Sequence, residues 1–350
     1  MNAATVSARD VRVVFPARQG GSPVVAVNGV DLDLNAGEII ALVGESGSGK
    51  TTLSRTLLGL ERPAEGVVEY NGSALEYSTA ALRRYRRQVQ LVMQDPIGAL
   101  NPKHSVYESV AEGIRIHNIV QRTNRAGGEV TETDLVARAL ARAGLRPPER
   151  FFLSYPHELS GGQCQRVLIA GALAVEPTVL VADEPVSSLD ASIRGEILSL
   201  LLQLRDDLGL TVLVVTHDLG LAWNIADRIA VMYLGRIVEQ GTTEEVLLSP
   251  KHPYTQALLS VVPEVEHKVP IVLRGEVPDP SRIPTGCSLN PRCPALLGGA
   301  AAKAGVASLC MQESPPSPAP GSGHHAACWL PTASELKTEV VALAGAPEFG

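Results

Sequence analysis

The chain has 350 residues, a formal net charge of −7, and 45% hydrophobic but only 4% aromatic residues. That length suits one domain of ordinary size plus an appendage, and the acidic balance argues against a nucleic-acid protein held by phosphate contacts. No apolar stretch approaches the ~18–20 residues of a membrane span, and Met1 to Asp10 lack the basic flank and apolar run of a secretory signal.

Strands are predicted over 11–15, 24–34 and 67–70, where β-branched residues alternate with others. The run from Ile39 to Val43 is wholly apolar and reads as a buried strand. Gly44-Glu45-Ser46-Gly47-Ser48-Gly49-Lys50-Thr51 follows, and then a predicted helix from Thr52 to Leu60. The segment fits G-x-x-x-x-G-K-[ST], and strand, glycine loop, helix is the context that makes this pattern a phosphate site. Glycines let backbone N–H groups curl around an anion, and the helix N-terminus adds partial positive charge. Lys50 is then placed to reach the β- and γ-phosphates of a nucleoside triphosphate, and the Thr51 hydroxyl to ligate Mg²⁺. Glu45, Ser46, Ser48 and Thr52 belong to the same cofactor-binding set.

Farther along, Arg83, Arg84, Arg86 and Arg87 read as a solvated helix face, and a strand over 89–93 leads to Gln94. From 99 to 158 the pattern turns helical, with helices predicted over 108–118 and 132–143. Leu159-Ser160-Gly161-Gly162-Gln163 opens a helix over 163–174, whose N-terminus is a second anion site. Cys164, just inside it, reads as a small packing residue. A strand over 179–182 ends in Asp183-Glu184, and Ser188-Leu189-Asp190 follows. A helix over 193–208, a strand over 211–215, His217 and a helix over 219–226 come next. A hairpin over 229–233 and 236–240 turns at Leu234-Gly235. Strands alternating with helices imply an α/β fold around a parallel sheet.

In this order the motifs resemble those of the nucleotide-binding subunit of ATP-binding cassette (ABC) transporters. L-S-G-G-Q between the glycine loop and the acidic pair is nearly unique to that family, and the resemblance covers about residues 11–241. It implies an ABC nucleotide-binding domain: a RecA-like P-loop core with an antiparallel β subdomain, and a helical subdomain at about 99–176. It implies that Asp183 holds Mg²⁺ directly or through water, and that Glu184 is the general base for the attacking water. His217 would contact the γ-phosphate. Gln94 would touch both Mg²⁺ and water and report nucleotide state to a membrane partner. Asp190 would lie at a dimer seam, and Phe15, ending the first strand, would stack on adenine. Ser160, Gly161, Gly162 and Gln163 would face ATP bound by the opposite subunit. One cassette per chain therefore implies a second ABC ATPase subunit, with a heterodimer expected.

Beyond Gly241, the segment Ser249-Pro250-Lys251-His252-Pro253-Tyr254-Thr255-Gln256-Ala257-Leu258-Leu259 resembles one found in oligopeptide, dipeptide and nickel importer ATPases. Gln94-Asp95-Pro96 and Leu100-Asn101-Pro102 fit the same group. The stretch from Leu82 to Gln94 resembles the second of that group's paired ATPases, usually called the F subunit. The resemblance implies a cassette over 1–248 and a small Cys-rich extension over 249–350. It further implies two transmembrane permease subunits, an extracytoplasmic substrate-binding protein, and a peripheral place on the cytoplasmic side of the plasma membrane. The function so implied is the ATP-hydrolysing motor of an importer for short peptides, with nickel or another small solute as the alternative. A soluble ABC ATPase of DNA repair would carry a long coiled coil between Lys50 and Ser160, where no long heptad run occurs. A translation factor would carry two cassettes, and an exporter cassette is commonly fused to membrane helices.

The extension holds four of the five cysteines, Cys287, Cys293, Cys310 and Cys328, spaced C-x5-C-x16-C-x17-C. Disulfides are disfavoured in a cytosolic chain. Four thiols suit a tetrahedral zinc or an iron–sulfur cluster, and the spacing does not choose between them. The resemblance implies a [4Fe–4S] cluster, because peptide-importer ATPases carry this tail pattern, here Gly286-Cys287 and Pro291-Arg292-Cys293-Pro294. Zinc and unliganded thiols stay open. The Gly-, Ala-, Pro- and Ser-rich stretches 297–311 and 314–323 read as loop, and His324 and His325 as solvated. Lying well past Gly241, the tail is expected to be structural and to have no part in hydrolysis.

Overall fold

The computed structural model describes residues 4–17, 22–119, 122–123, 129–262, 270–318, 321 and 323–330. Its strands, in chain order, are β1 (Ala4–Phe15), β2 (Val24–Asn35), β3 (Ile39–Val43), β4 (Glu65–Tyr70), β5 (Ser73–Ala74), β6 (Val89–Val92), β7 (Arg122–Thr123), β8 (Glu129–Val130), β9 (Val179–Asp183), β10 (Thr211–Thr216), β11 (Arg228–Tyr233), β12 (Arg236–Thr242) and β13 (His325–Ala326). A seven-stranded sheet has the order β13-β12-β11-β3-β10-β9-β6, and its five strands from β11 to β6 are parallel. The second sheet, β2-β1-β4-β5, is antiparallel throughout. Every residue of β3 is buried, as its unbroken apolar run requires of a strand covered on both faces.

β1 begins seven residues before the alternating run that predicts it. Its start, from Ala4 to Asp10, contains Thr5, Ser7, Arg9 and Asp10, which weakens the local pattern. Pairing on both sides, Val6 with Leu34 of β2 and with Tyr70 of β4, holds it in the sheet.

Two helices start earlier than periodicity suggests because their caps lie upstream of the apolar stripe. Ser105 and Glu108 form a capping box, so that helix spans Val106–Ile116. Ser160 and Gln163 form another, and that helix spans Gly161–Leu173. Both pack with the helix Glu132–Arg142 in one apolar core that continues onto Ile39, Leu180 and Val212 of the parallel sheet. Cys164 is buried in this core, as expected of a packing residue.

The arginine run is solvated at Arg83 and Arg84, while Arg86 and Arg87 are half-buried. Within the helix Thr79–Gln88, Arg86 Nη2 donates to the Gly59 carbonyl at 2.6 Å, and Arg83 donates to the Ile116 carbonyl. These guanidinium groups cap the carbonyls at the ends of neighbouring helices, which carry partial negative charge.

The extension also departs from the loop expected of its composition. It contains short helices at Pro294–Leu297, Ala300–Lys303 and Ala307–Gln312, and β13 pairs with β12 at the edge of the large sheet. Leu289 and Cys293 pack in a third core with Val43, Tyr233 and Tyr254. His324 is not solvated: its side chain is 7% exposed, and Nε2 lies 2.6 Å from Glu239 Oε1. Glu239 is fully buried in β12, and its carboxylate also accepts from the backbone N–H groups of Lys251 and His252, both at 2.8 Å. A buried carboxylate must find such partners, and His324 is one of them. His325 is exposed. Among the described residues no helix is long and apolar enough to cross a membrane.

Candidate functional site

The parallel strands end level with one another. Val43 of β3 pairs with Thr216 of β10, and Val215 of β10 with Asp183 of β9. Ligands in open α/β sheets bind outside these carboxyl ends. A cleft of about 870 Å³ opens there. It is lined by Phe15, Gly44, Glu45, Ser46, Gly47, Gly49, Lys50, Thr51, Thr52, Gln94, Asp183, Glu184 and His217, residues dispersed over most of the chain. Ser48 turns inward instead and is 2% exposed.

The glycine loop is as tight as its pattern demands. A Cβ on Gly44 would lie 2.1 Å from the Met232 carbonyl oxygen, and one on Gly49, at φ 105°, 2.3 Å from that of Ala26. Lys50 begins the helix Lys50–Leu57. Its Nζ donates to the carbonyls of Gly44 at 2.7 Å and Glu45 at 3.0 Å. Burial lowers the Lys50 pKa, while the charges of Glu184, Asp183 and Glu45 oppose the shift.

Asp183 ends β9 beside the side chain of Thr51, which favours its charged form. Burial, and then the neighbouring Glu184 charge, raise its pKa; Lys50 works in the opposite direction. A hard divalent cation favours few protein oxygens together with water and phosphate, and the Thr51–Asp183 pair fits that donor set. Glu184 occupies left-handed backbone space at φ 48° and donates its N–H to the Val215 carbonyl at 2.8 Å. A non-glycine residue in that region costs roughly 1–2 kcal/mol. The resulting turn places its carboxylate 2.7 Å from His217 Nδ1. Lys50, two carboxylates and a histidine thus converge where strand ends and a helix N-terminus meet.

Other expected site residues lie elsewhere. Ser160, Gly161, Gly162 and Gln163 do not line this cleft; they form the start of the helix Gly161–Leu173, where Ser160 is exposed and Gly162 buried. Gly162 must lack a side chain there, because its Cβ would come within 2.6 Å of Ile193 Cγ2. Asp190 is exposed at the start of the helix Ala191–Leu208 and makes no side-chain cap bond.

Sequence reasoning missed several contacts to the cleft, one of them from a turn it had read. The Leu234-Gly235 turn, with φ of 44° and 81°, supports the glycine loop through an N–H bond from Gly235 to the Ser48 carbonyl at 2.9 Å. Leu258 and Pro280 of the extension line the cleft beside Phe15, Val24 and Val25. The Pro280 carbonyl accepts from Val25 N–H at 3.2 Å. Tyr254 Oη accepts from Glu45 N–H at 2.9 Å, and Arg292 Nη1 donates to Glu45 Oε2 at 3.0 Å. The extension is therefore not remote from the cleft, contrary to its place in the chain. Tyr254 and Leu258 sit in the segment 249–259 already singled out, but local pattern carries no sign of which residue they meet.

All five cysteines are free. Cys287, Cys293, Cys310 and Cys328 stand close enough for charge on one thiol to act on another. Cys287 N–H donates to the Cys310 carbonyl at 2.9 Å. Burial pushes Cys287 up to about 11 and Cys328 up to about 12, and the neighbouring thiols add to both shifts. The donor set has the chemistry of a thiophilic centre, which would stabilise the thiolate forms. Even so, among the described residues no group of three or more His, Cys, Asp or Glu side chains is placed to hold a metal ion.

The ABC transporter family profile matches residues 27–187, and that of the oligopeptide/dipeptide transporter C-terminal region matches residues 238–297. The chain is 38% identical over 334 residues to the oligopeptide transport ATP-binding protein AppF of Bacillus subtilis, covering 92% of this chain and 96% of that one. It is 39% identical over 296 residues to the dipeptide transport ATP-binding protein DppF of Escherichia coli, covering 82% and 86%. Among solved structures, cbiO1 from Clostridium perfringens, part of the ABC transporter complex cbiONQ, aligns with a TM-score of 0.60 at 29% identity. That alignment covers 70% of this chain and 91% of cbiO1. A dimeric post-hydrolysis structure of the ATP-binding cassette MJ0796 with ADP and Pi aligns at 0.59 and 30% identity, covering 68% and 98%.

Proposed function

This chain belongs to the ATP-binding proteins of ABC transporters, in the branch that carries the oligopeptide/dipeptide-transporter C-terminal region, and from that membership we propose that it drives the import of short peptides by hydrolysing ATP. The observation that carries the reading is the convergence of the glycine loop, Gln94, Asp183, Glu184 and His217 in one cleft of a chain so similar to peptide-transport proteins.

Phosphoryl transfer is mostly positioning and charge neutralisation. Phe15 stacks on adenine. Lys50 and the loop amides hold the β- and γ-phosphates. Thr51, Asp183 and Gln94 hold Mg²⁺, which neutralises phosphate charge. Glu184 takes a proton from the water that attacks the γ-phosphorus, and ADP leaves with the electron pair of the broken bond. His217 orients the Glu184 carboxylate through their 2.7 Å contact.

Ser160 to Gln163 and Asp190 lie outside their own chain's cleft, which supports a head-to-tail sandwich with a second cassette. The pair would dock on two permease subunits at the cytoplasmic side of the membrane and be fed by an extracytoplasmic binding protein. The test is ATPase activity per chain against protein concentration, alone and with the partner cassette and permeases. The isolated chain should be slow and the assembled complex faster; full activity in a strictly monomeric sample would contradict the sandwich. Reconstituted vesicles that accumulate nickel but no di- or oligopeptide would replace peptide with nickel as the cargo.

For the extension, the proposal is that Cys287, Cys293, Cys310 and Cys328 hold a [4Fe–4S] cluster, one cysteine per iron. The support is four free thiols within 42 positions of chain, near enough for charge on one to act on another, although among the described residues they are not placed as a metal-holding group. Protein purified without air should be brown with roughly four irons per chain, and Cys293→Ser should bleach it. Stoichiometric zinc without iron, in protein never exposed to air, would point instead to a four-cysteine zinc site.

A further inference from the structure

Arg292 belongs to the four-cysteine extension, yet its guanidinium ends on the first variable residue of the glycine loop, 247 positions away. Nη1 donates to Glu45 Oε2 at 3.0 Å and lies 3.4 Å from Tyr233 Oη, and the guanidinium carbon sits 5.9 Å from the centre of the Tyr233 ring. The Arg292 side chain is 9% exposed and that of Glu45 29%, so water reaches the pair only from the Glu45 side. Glu45 is also held by its backbone: its N–H donates to Tyr254 Oη, and its carbonyl accepts from Lys50 Nζ. Tyr233 and Tyr254 pack ring against ring at 4.7 Å. One residue of the loop is therefore fixed at its amide, its carbonyl and its carboxylate.

The charge of Glu45 explains why the third contact is needed. Glu45 lines the cleft, and its carboxylate is near enough to Lys50 to act on that residue's charge. Without a partner, a carboxylate in that place would repel the triphosphate that Lys50 attracts. The Arg292 guanidinium offsets that charge and holds the carboxylate through the 3.0 Å bond.

We propose that Arg292 is a positioning residue of the ATP site, holding and neutralising Glu45 so that the extension sets the affinity of the glycine loop for the nucleotide's phosphates. This rests on reading the cleft as the ATP site. A buried arginine that merely pinned the extension to the cassette would show no dependence on phosphate charge, and that difference is measurable.

The experiment uses the purified full-length chain and displacement of a fluorescent ATP analogue by ATP, ADP and adenosine. Arg292→Met should weaken ATP binding about five- to twenty-fold, less than a lost charge-assisted hydrogen bond to the phosphates themselves because the charge acts through Glu45. ADP should be weakened less, and adenosine unchanged. Arg292→Lys should recover part of the loss, and Glu45→Gln added to Arg292→Met should recover most of it. Unchanged ATP affinity in Arg292→Met overturns the inference. So does an equal loss for ATP and adenosine, or a double variant no better than the single one. If Arg292→Met does not fold, Arg292→Lys with and without Glu45→Gln carries the same comparison. Lys50→Ala separates the two failures: if it leaves ATP affinity intact, the cleft is not the ATP site; if it abolishes affinity while Arg292→Met does nothing, only this inference fails.

Discussion

Glu184→Gln is expected to leave ATP bound but slow its hydrolysis by ~10²–10⁴, the usual worth of a positioned base. The substitution keeps the size of the side chain and an oxygen to face His217, so the local geometry should survive. It removes the only change that matters chemically, the capacity to accept a proton from water. Binding should hold or improve, because one negative charge is lost beside Asp183 and the phosphates. The strained backbone of Glu184, at φ 48°, is tolerated because the N–H bond to Val215 over-determines it. Steady-state turnover of the assembled complex, together with ATP binding to the same preparation, makes the test. Near-normal turnover would remove Glu184 from the role of base.

Lys50→Ala should act on the other half of the cycle, weakening ATP binding by about 10- to 150-fold, as loss of a charged hydrogen-bond donor does. Two effects combine. The ammonium is the cation at the head of the cleft, and it also spans the loop from Gly44 to Glu45 through two carbonyls. Removing it takes away the phosphate's partner and frees two carbonyl oxygens to point at an anion. Titration of the purified chain with ATP reads the loss, and an unchanged dissociation constant would contradict the assignment.

Much of this protein was legible locally. The five apolar residues of β3, the glycines that follow and the lysine after them define a strand, a turn and a helix start by short-range chemistry alone. Their spacing already pointed to phosphate. The same holds for Asp183-Glu184 at the end of β9 and for the Leu234-Gly235 turn, where two positive φ values suit a tight hairpin. Capping boxes at Ser105/Glu108 and Ser160/Gln163 were also written in the sequence, and reading them first would have corrected both helix starts.

The tertiary structure alone decided what lies far apart in the chain. The first half of β1 is a strand because two neighbours pair with it, and its own residues do not announce it. The His324 side chain is drawn in against the buried Glu239, and no local pattern names that partner. The extension, loop-like in composition, forms helices and reaches the glycine loop through Tyr254 and Arg292, across 209 and 247 positions. Periodicity, caps and turn residues act over a few positions, so a sequence displays them directly. A buried charge or an edge strand is satisfied by whichever group the fold delivers, so those partners become visible only once the chain has closed on itself.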